Sequence, residues 1–368
     1  MRVCALNWRD IRNPDAGGAE VHLHEILAHL VAWGHDATLL AAGWPGCAGE
    51  ERIDGVRVIR RGHWYDANVT LPLFARRHFK HQAYDVVLED INKVPFFMPL
   101  VTSIPVVPVV PHLFGTTVFR EANVCVGSYV VFLERFIPLV FRRNRFMVIS
   151  RSTKEDLVAR GVPPDRIDVV LCGLDHGRYR NLGLERFAEP TIVHLGRLRR
   201  YKSVEVALGA MRRIREKLPT AELAIIGEGP HRPALEAEAE RLGLGKSVRF
   251  LGYMNGEALV EYLNRAHLVV NPSPKEGWGL TVVEANACGL PVVASDRPGL
   301  RDSVRDGETG FLVPYGDEAA FAAKSLMILE DRRLWERLSA GALERVKELT
   351  WERCARETLD LLERVVRG

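Results

Sequence analysis

Short apolar runs alternate with amphipathic segments along almost the whole 368-residue chain. This alternation is typical of βαβ units, in which helices cover the faces of a parallel sheet. In the first half it predicts strands at residues 2–8, 36–42, 56–60, 85–89, 105–110, 145–150 and 166–171, with a long helix at 20–33. The pattern therefore favours an α/β fold over an all-helical or all-β fold.

A second series of strands follows a polar segment that lacks clear periodicity. The predicted strands lie at residues 191–196, 222–226, 248–251, 268–271 and 291–295, and the chain after Asp317 is predicted to be helical almost to its end. We therefore expect a first domain at 1–172, a linker at 173–190, a second domain at 191–350 and a separate helix at 351–368.

Composition excludes several classes of protein. With 47% hydrophobic residues the chain can bury large cores, and its length suits about two domains. A net charge of +3 is far below that of a dedicated nucleic-acid binder. The cysteines have no metal-site spacing, no apolar run approaches a membrane span, and the first residues do not resemble a signal peptide. We expect a cytoplasmic protein.

Two acids, Glu276 and Glu284, flank a glycine-containing turn and the start of an apolar run that predicts a helix. The first N–H groups of a helix lack intrahelical partners and carry the positive end of its dipole, so this turn could hold a diphosphate. The residues concerned are Gly277, Trp278, Gly279, Leu280 and Thr281. Alternatively, Glu284 only caps the backbone of Thr281 in a capping box.

Basic residues occupy a second predicted strand-to-helix junction. Gly196 and Arg197 end one strand, and Lys202 precedes the next helix, where two cations could bind a diphosphate. A solvated surface is the alternative. Because ligands bind at the carboxyl ends of parallel strands, the position favours binding. Glu228 and Leu251 mark two further strand ends.

The first half offers three weaker signals. Paired glycines, Gly17 and Gly18, precede the first long helix but do not form the G-x-G-x-x-G dinucleotide pattern, and a simple turn would also explain them. His112 ends a predicted strand, where a ligand contact or a structural role could explain it. The polar residues that follow another strand could line an acceptor cleft or cap a helix; they are Asp90, Asn92 and Lys93.

Residues 132–141 place apolar side chains beside Arg135, Arg142, Arg143 and Arg145. An interfacial helix touching the inner membrane surface would have this composition. Because Pro138 interrupts the segment, an ordinary domain helix with a core-facing side is the favoured interpretation.

Taken in chain order, these motifs resemble the retaining glycosyltransferases of family 4, which share the GT-B fold. The resemblance rests on Gly17-Gly18, His112, Gly196-Arg197 with Lys202, and the segment from Glu276 to Glu284, and it extends to residues 148–153, 227–230, 287–293 and 306–310. It implies two Rossmann-like parallel-sheet domains facing each other across a cleft, with the last helix returning to the first domain.

The resemblance also implies a role for each motif. Arg197 and Lys202 would bind the diphosphate, Glu284 the ribose and Glu276 the donor sugar, while Gly18 and His112 would act from the first domain. The implied donor-binding set is Gly18, Gly196, Arg197, Lys202, Glu228, Leu251, Glu276, Gly277, Trp278, Gly279, Leu280, Thr281 and Glu284, with His112, Glu276, Arg197 and Lys202 in catalysis. Asp90, Asn92 and Lys93 would bind the acceptor. Ser203 departs from the family pattern, in which many relatives carry glycine.

The resulting hypothesis is a retaining enzyme that moves a hexose or N-acetylhexosamine from a UDP- or GDP-sugar to a hydroxyl of a glycan, a lipid-linked or a small-molecule acceptor. The sequence has no D-x-D pair of the kind that holds a divalent ion in other glycosyltransferases, so we expect no metal and no cofactor. A non-catalytic nucleotide-sugar-binding protein and a nucleotide-sugar epimerase of the same fold are the alternatives.

Overall fold

The computed structural model describes residues 1–120 and 122–368, and the chain divides into two compact units. Unit 1 comprises Met1–Gly173 together with Trp351–Gly368, and unit 2 comprises Leu174–Thr350. Residues 174–190, where the sequence predicts a linker, thus belong to unit 2.

Unit 1 is built on a sheet whose strand order is β3-β4-β2-β1-β5-β6-β7-β8. Its strands are β1 (Arg2–Leu6), β2 (Asp36–Gly43), β3 (Glu50–Ile53), β4 (Val56–His63), β5 (Val86–Asp90), β6 (Val106–Val110), β7 (Phe146–Val148) and β8 (Ile167–Val169). Every residue of β5 and β6 is buried, because helices cover both faces of a parallel sheet. Only β3 pairs antiparallel among the described strands, at the sheet edge, and the sequence analysis missed it because Glu-Glu-Arg-Ile lacks an apolar run.

The helices of unit 1 cover this sheet, and the last one comes from the end of the chain. They are α1 (Gly18–Ala32), α2 (Ala67–His78), α3 (Val124–Glu134), α4 (Ile137–Val140), α5 (Arg151–Ala159) and α13 (Trp351–Arg367). Helix α13 buries one face against α1, where Cys354 Sγ lies 3.7 Å from His22 Nε2. Helix α1 starts two residues before its predicted first residue, because the Glu20 carboxylate accepts the N–H of Gly17 at 2.7 Å.

Unit 2 carries a second parallel sheet with the order β11-β10-β9-β12-β13-β14. Its strands are β9 (Thr191–Leu195), β10 (Glu222–Ile226), β11 (Val248–Gly252), β12 (Leu268–Asn271), β13 (Val292–Ser295) and β14 (Gly310–Val313). Its helices are α6 (Val204–Arg215), α7 (Arg232–Arg241), α8 (Gly256–Arg265), α9 (Leu280–Ala287), α10 (Leu300–Ser303), α11 (Glu318–Glu330) and α12 (Arg332–Val346). The α/β prediction with two parallel-sheet domains is thereby confirmed.

The prediction of one domain helix at 132–141 with a core-facing side is confirmed only in part, because the segment forms two helices and only some of its apolar side chains face the core. The chain leaves α3 at Glu134 and restarts as α4 at Ile137, with Pro138 in the first turn, where its missing N–H is tolerated. Ile137 and Phe141 are buried, but Phe132, Phe136 and Leu139 face solvent. Within residues 1–120 and 122–368, no helix is both long and apolar enough to cross a membrane.

Candidate functional site

In each sheet the strand order reverses beside the first strand of the unit. Strand β9 lies between β10 and β12, and β1 lies between β2 and β5. Open parallel sheets bind ligands at the carboxyl ends of strands at such switch points. In unit 2 the loop of Arg197 follows β9 and the loop of Glu276 follows β12, so the topology brings the two predicted motifs to one switch point.

Glycines hold the loops after β9 and β10 against each other. A Cβ atom on Gly227, whose φ is +142°, would lie 1.9 Å from the carbonyl oxygen of Gly196. The N–H of Leu198 donates to the Glu228 carbonyl at 2.9 Å. This close backbone contact fixes the path of the loop from which Arg197 projects as an exposed side chain.

Lys202 and Glu276 form an ion pair at this switch point. Lys202 Nζ donates to Glu276 Oε1 at 2.5 Å, and each side chain is only 14% exposed. Burial acts to lower the pKa of Lys202, but the Glu276 charge and hydrogen bonds to Glu276 and Tyr201 outweigh it, so that pKa is raised. A positively charged lysine is therefore fixed beside a carboxylate, and both remain within reach of solvent.

Ser203, the departure from the family pattern, adopts the left-handed conformation usually taken by glycine. Its φ is +53° and its ψ +40°, and it links the turn of Lys202 to α6. Its hydroxyl lies 3.0 Å from the Tyr315 hydroxyl. The loop thus keeps the backbone conformation suited to glycine with a serine in place.

The turn after Glu276 leads directly into the N-terminus of α9. Gly279 is the N-cap in a left-handed conformation, φ +92°, and no side chain caps the helix. The capping-box hypothesis is wrong, because the N-cap is Gly279 and not Thr281. Leu280 and Thr281 are partly buried in the first turn. The helix end is thus left for an anion to contact.

Trp278 anchors this turn in unit 2. Its side chain is buried, and in the described part of the chain its indole N–H has no hydrogen-bond partner. A buried donor without a partner is uncommon in folded proteins. Gly277, on one side of it, stays partly exposed.

Glu284, one turn into α9, interacts with Tyr179 instead of the helix backbone. Burial raises the pKa of Glu284 to about 7, although the Tyr179 hydroxyl and the charge of Arg178 act against that rise. Burial and the Glu284 charge raise the pKa of Tyr179. The sequence analysis missed Tyr179 because it lies in the segment interpreted as a linker.

His194 on β9 is a second residue that the sequence analysis missed. It is buried, its Nδ1 lies 3.2 Å from the Val270 carbonyl oxygen, and its Nε2 has no partner in the described structure. Burial lowers its pKa to about 4, so the ring is neutral at physiological pH. Its place in an apolar strand run gave no signal of its position beside the Gly196 loop.

The two remaining donor-binding predictions of unit 2 lie toward the sheet edge. Glu228 follows β10, and its carboxylate accepts from Arg232 Nη1 at 2.5 Å. Leu251 belongs to the edge strand β11, which β10 separates from β9. The structure therefore does not bring Leu251 to β9, the strand that the Arg197 loop follows.

The predicted acceptor residues of unit 1 cluster at the other switch point. Asn7, just after β1, donates to Asp90 Oδ2 at 3.1 Å and accepts from Asn92 Nδ2 at 2.9 Å. Within residues 1–120 and 122–368, Asp90 Oδ1 and Asn92 Oδ1 have no hydrogen-bond partner although both atoms are buried. Burial raises the pKa of Asp90 well above its usual value and lowers that of Lys93 to about 8.

Other unit 1 residues lie at the same end of the sheet. Gly18 is the first residue of α1, and His112 follows β6 with its ring 4.8 Å from that of Phe114. Glu89 has a structural role: its carboxylate accepts the backbone N–H groups of Phe96, Phe97 and Met98 at 2.7–2.9 Å and so holds the loop after β5. Among the residues that the structure describes, no group of three or more His, Cys, Asp or Glu side chains is placed to hold a metal ion.

Comparison with known proteins agrees with this arrangement. A model of Glycosyltransferase Family 4 matches residues 16–178, and a model of Glycosyl transferases group 1 matches residues 181–345. The chain belongs to the family 4 glycosyltransferases. The two matched segments take in the switch point of unit 2 and all of unit 1 from residue 16 to residue 173, but not β1.

Curated relatives of this glycosyltransferase include enzymes that act on different molecules. A D-inositol 3-phosphate glycosyltransferase of Thermomonospora curvata is 34% identical over 232 residues, covering 56% of this chain and 53% of the relative. A glycogen synthase of Mycobacterium tuberculosis is 25% identical over 397 residues, covering 100% of this chain and 96% of the relative. The chain spans about half the length of the inositol-phosphate enzymes that it matches.

Solved structures share the GT-B fold with this glycosyltransferase. A sucrose-phosphate synthase of Thermosynechococcus elongatus has a TM-score of 0.82 at 23% identity, over 99% of both chains. The Anabaena protein HepE, solved with UDP-glucose, has a TM-score of 0.75 at 19% identity, over 98% of this chain and 99% of its own. At these identities the likeness shows the fold alone.

Proposed function

We propose that this glycosyltransferase transfers a hexose or N-acetylhexosamine from a UDP- or GDP-sugar to an acceptor hydroxyl, with retention of the anomeric configuration. The observation that carries the proposal is the Lys202–Glu276 ion pair beside the open N-terminus of α9, at the switch point of unit 2. Cation, carboxylate and helix dipole together match a charged diphosphate joined to a polyhydroxylated sugar.

The donor would be held by groups of opposite character. Arg197 and Lys202 would contact the diphosphate, together with the first N–H groups of α9. A carboxylate can accept several hydrogen bonds at once, so Glu276 can keep Lys202 and still accept sugar hydroxyls. Glu284 would accept the ribose hydroxyls. HepE, solved with UDP-glucose, lends support to this class of donor.

Catalysis would rest on stabilising the departing diphosphate. Negative charge grows on it as the anomeric carbon becomes oxocarbenium-like, so fixed cations and N–H dipoles lower the barrier most. His112 keeps the role that the family resemblance implies, a contact with the donor sugar. Retention would follow from attack on the face that the diphosphate leaves, with its phosphate helping to deprotonate the acceptor. We propose that neither a metal ion nor a cofactor takes part.

The acceptor would bind at the switch point of unit 1. Buried carboxylate and amide oxygens without partners call for hydrogen-bond donors, and hydroxyl groups supply them. Asp90 and Asn92 offer such atoms, and Lys93 adds a partly buried ammonium. This chemistry fits a hydroxyl-rich acceptor, whether a glycan, a lipid-linked or a small-molecule one.

A thermal-shift screen tests the donor. UDP, GDP, ADP and their sugars are added separately, and a bound ligand raises stability by RT ln(1 + [L]/Kd). We expect a UDP- or GDP-sugar to shift the transition. The donor proposal fails if none of them does. Product analysis tests the epimerase alternative, which would be favoured if the nucleotide sugar were converted to its epimer without release of the nucleotide.

Kinetics test the roles of the two cations. Arg197→Ala and Lys202→Ala should each lower kcat/KM by about 100-fold, as expected for a lost charge-assisted contact in the transition state. Arg200→Ala, which removes an exposed arginine of the same loop, is the matched control. Near-normal kinetics in both test variants would refute the assignment.

A further inference from the structure

Unit 1 exposes an unusual number of large apolar side chains on neighbouring elements. On α3 and α4 the exposed fraction is 73% for Val124, 56% for Phe132 and 61% for Leu139, and Val126, Tyr129 and Phe136 are exposed as well. Single exposed apolar residues are common, but a contiguous group marks an interaction surface.

Helix α2 extends this surface. The Asn68 amide on α2 donates to the Tyr129 hydroxyl on α3, so the two helices meet at this hydrogen bond. Val69 and Leu73, one turn apart on α2, are exposed, and the turn before α2 adds two exposed aromatic side chains, Trp64 and Tyr65. We call the exposed apolar residues of 64–73 and 124–139 the apolar face.

Positive charge borders the apolar face. From Ala122 to Arg145 the sequence contains a single acid, Glu134, and that carboxylate is buried and accepts the N–H groups of Phe114 and Gly115. Arg135, Arg142 and Arg143 are exposed on the same stretch. The charge of this surface is thus positive, and an anionic partner complements it.

We infer that the apolar face docks on the surface of an anionic lipid bilayer. Interfacial segments combine exposed apolar side chains that enter the headgroup region with basic residues that contact anionic lipids. Trp and Tyr are enriched at that depth, which suits Trp64 and Tyr65. The inference does not rest on the proposed function, since the apolar face shares no residue with the proposed donor and acceptor sites.

Vesicle co-sedimentation of the full chain, without any sugar nucleotide, tests the inference. We expect binding to phosphatidylcholine vesicles that contain phosphatidylglycerol, weak binding to phosphatidylcholine alone, and loss of binding as salt screens the charges. Phe132→Ala and Leu139→Ala should each weaken binding about tenfold, because each removes a large apolar side chain from the lipid contact.

Charge variants test the second part of the surface. Arg142→Gln with Arg143→Gln should weaken binding about fivefold for each charge removed. The matched controls lie on unit 2: Tyr253→Ala, which removes a side chain that is 74% exposed, and the exposed pair Arg212→Gln with Arg213→Gln. Thermal unfolding should be unchanged in all of them, since every altered side chain is exposed.

Three results would overturn the inference. Wild-type protein could fail to sediment with either vesicle, or the unit 2 controls could lose as much binding as the unit 1 variants. Analytical ultracentrifugation gives the third: a dimer that Phe132→Ala dissociates, without vesicle binding, would assign the apolar face to a second copy of the chain.

Discussion

Replacing Lys202 with methionine should destabilise unit 2, because the change leaves the Glu276 carboxylate without its partner. The two groups meet at 2.5 Å and each side chain is 14% exposed. Breaking a fully buried pair costs about 3–5 kcal/mol, and losing a hydrogen bond to a charged group about 1.5–3 kcal/mol. With partial exposure we expect a loss of about 2–3 kcal/mol in the free energy of unfolding.

The partner variant and the double variant complete the cycle. Glu276→Gln keeps an oxygen acceptor for Lys202, so it should cost less, about 1–2 kcal/mol. The double variant removes both charges and should cost no more than about 1 kcal/mol, because replacing a whole pair is often nearly neutral. The combined loss should thus be about 2–4 kcal/mol smaller than the sum of the single losses.

Urea unfolding at pH 7 gives the free energy of unfolding of the wild type, the two single variants and the double variant. The raised pKa of Lys202 means that its stabilisation is complete below the ordinary value of 10.5 and declines only as the pH rises through the folded value, so pH 7 reports the full effect. The exposed pair Arg332–Glu336 on α12 is the control cycle and should show little or no coupling. Additive losses for Lys202 and Glu276 would refute the assigned pair.

Three further predictions address single residues. Burial raises the pKa of Glu284 to about 7, and its carboxylate is the form that accepts hydroxyls. The proposed UDP- or GDP-sugar donor should therefore bind about tenfold more tightly at pH 8 than at pH 6 by calorimetry, and Glu284→Gln should flatten this difference; an unchanged pH profile would contradict the ribose role. Ser203→Gly should be about 1 kcal/mol more stable than Ser203→Ala in thermal unfolding, since both lose the hydroxyl and only glycine relieves the left-handed backbone; equal stability would argue against strain. Gly227→Ala should lower the free energy of unfolding by about 3 kcal/mol or more, because its Cβ would clash with Gly196. Gly243→Ala, with open space around the new Cβ, should lower it by about 1 kcal/mol. Similar losses in urea unfolding would contradict the close loop contact.

The fold followed from the sequence where strands are apolar and central. Strands β5, β6, β10 and β12 were predicted to within a residue at either end, because parallel strands covered on both faces need continuous apolar runs. Strands β3 and β14 were missed. Strand β3 is short and charged and lies at a sheet edge. Strand β14 has only four residues and directly follows a glycine-containing turn, so its apolar run is too short to be recognised as a strand.

Motif residues of the candidate site were predictable because they follow strands. The sequence located Lys202 and Glu276 but gave no sign that they pair, since 73 residues separate them and only the strand order β9-β12 brings their loops together. It also missed Tyr179 and His194. The segment around Tyr179 shows no periodicity, and His194 lies within an apolar strand run. Contacts between distant segments depend on topology, which local patterns do not encode.

The return of α13 to unit 1 affects how this chain can fold during synthesis. Residues 1–173 leave the ribosome first, yet the apolar surface of α1 stays uncovered until Trp351 and the residues after it have been made. All of unit 2 is synthesised in that interval and can fold as a continuous segment. Unit 1 should therefore be the last part to reach its native state. A stalled or shortened chain would leave the apolar surface of α1 exposed to chaperones and proteases.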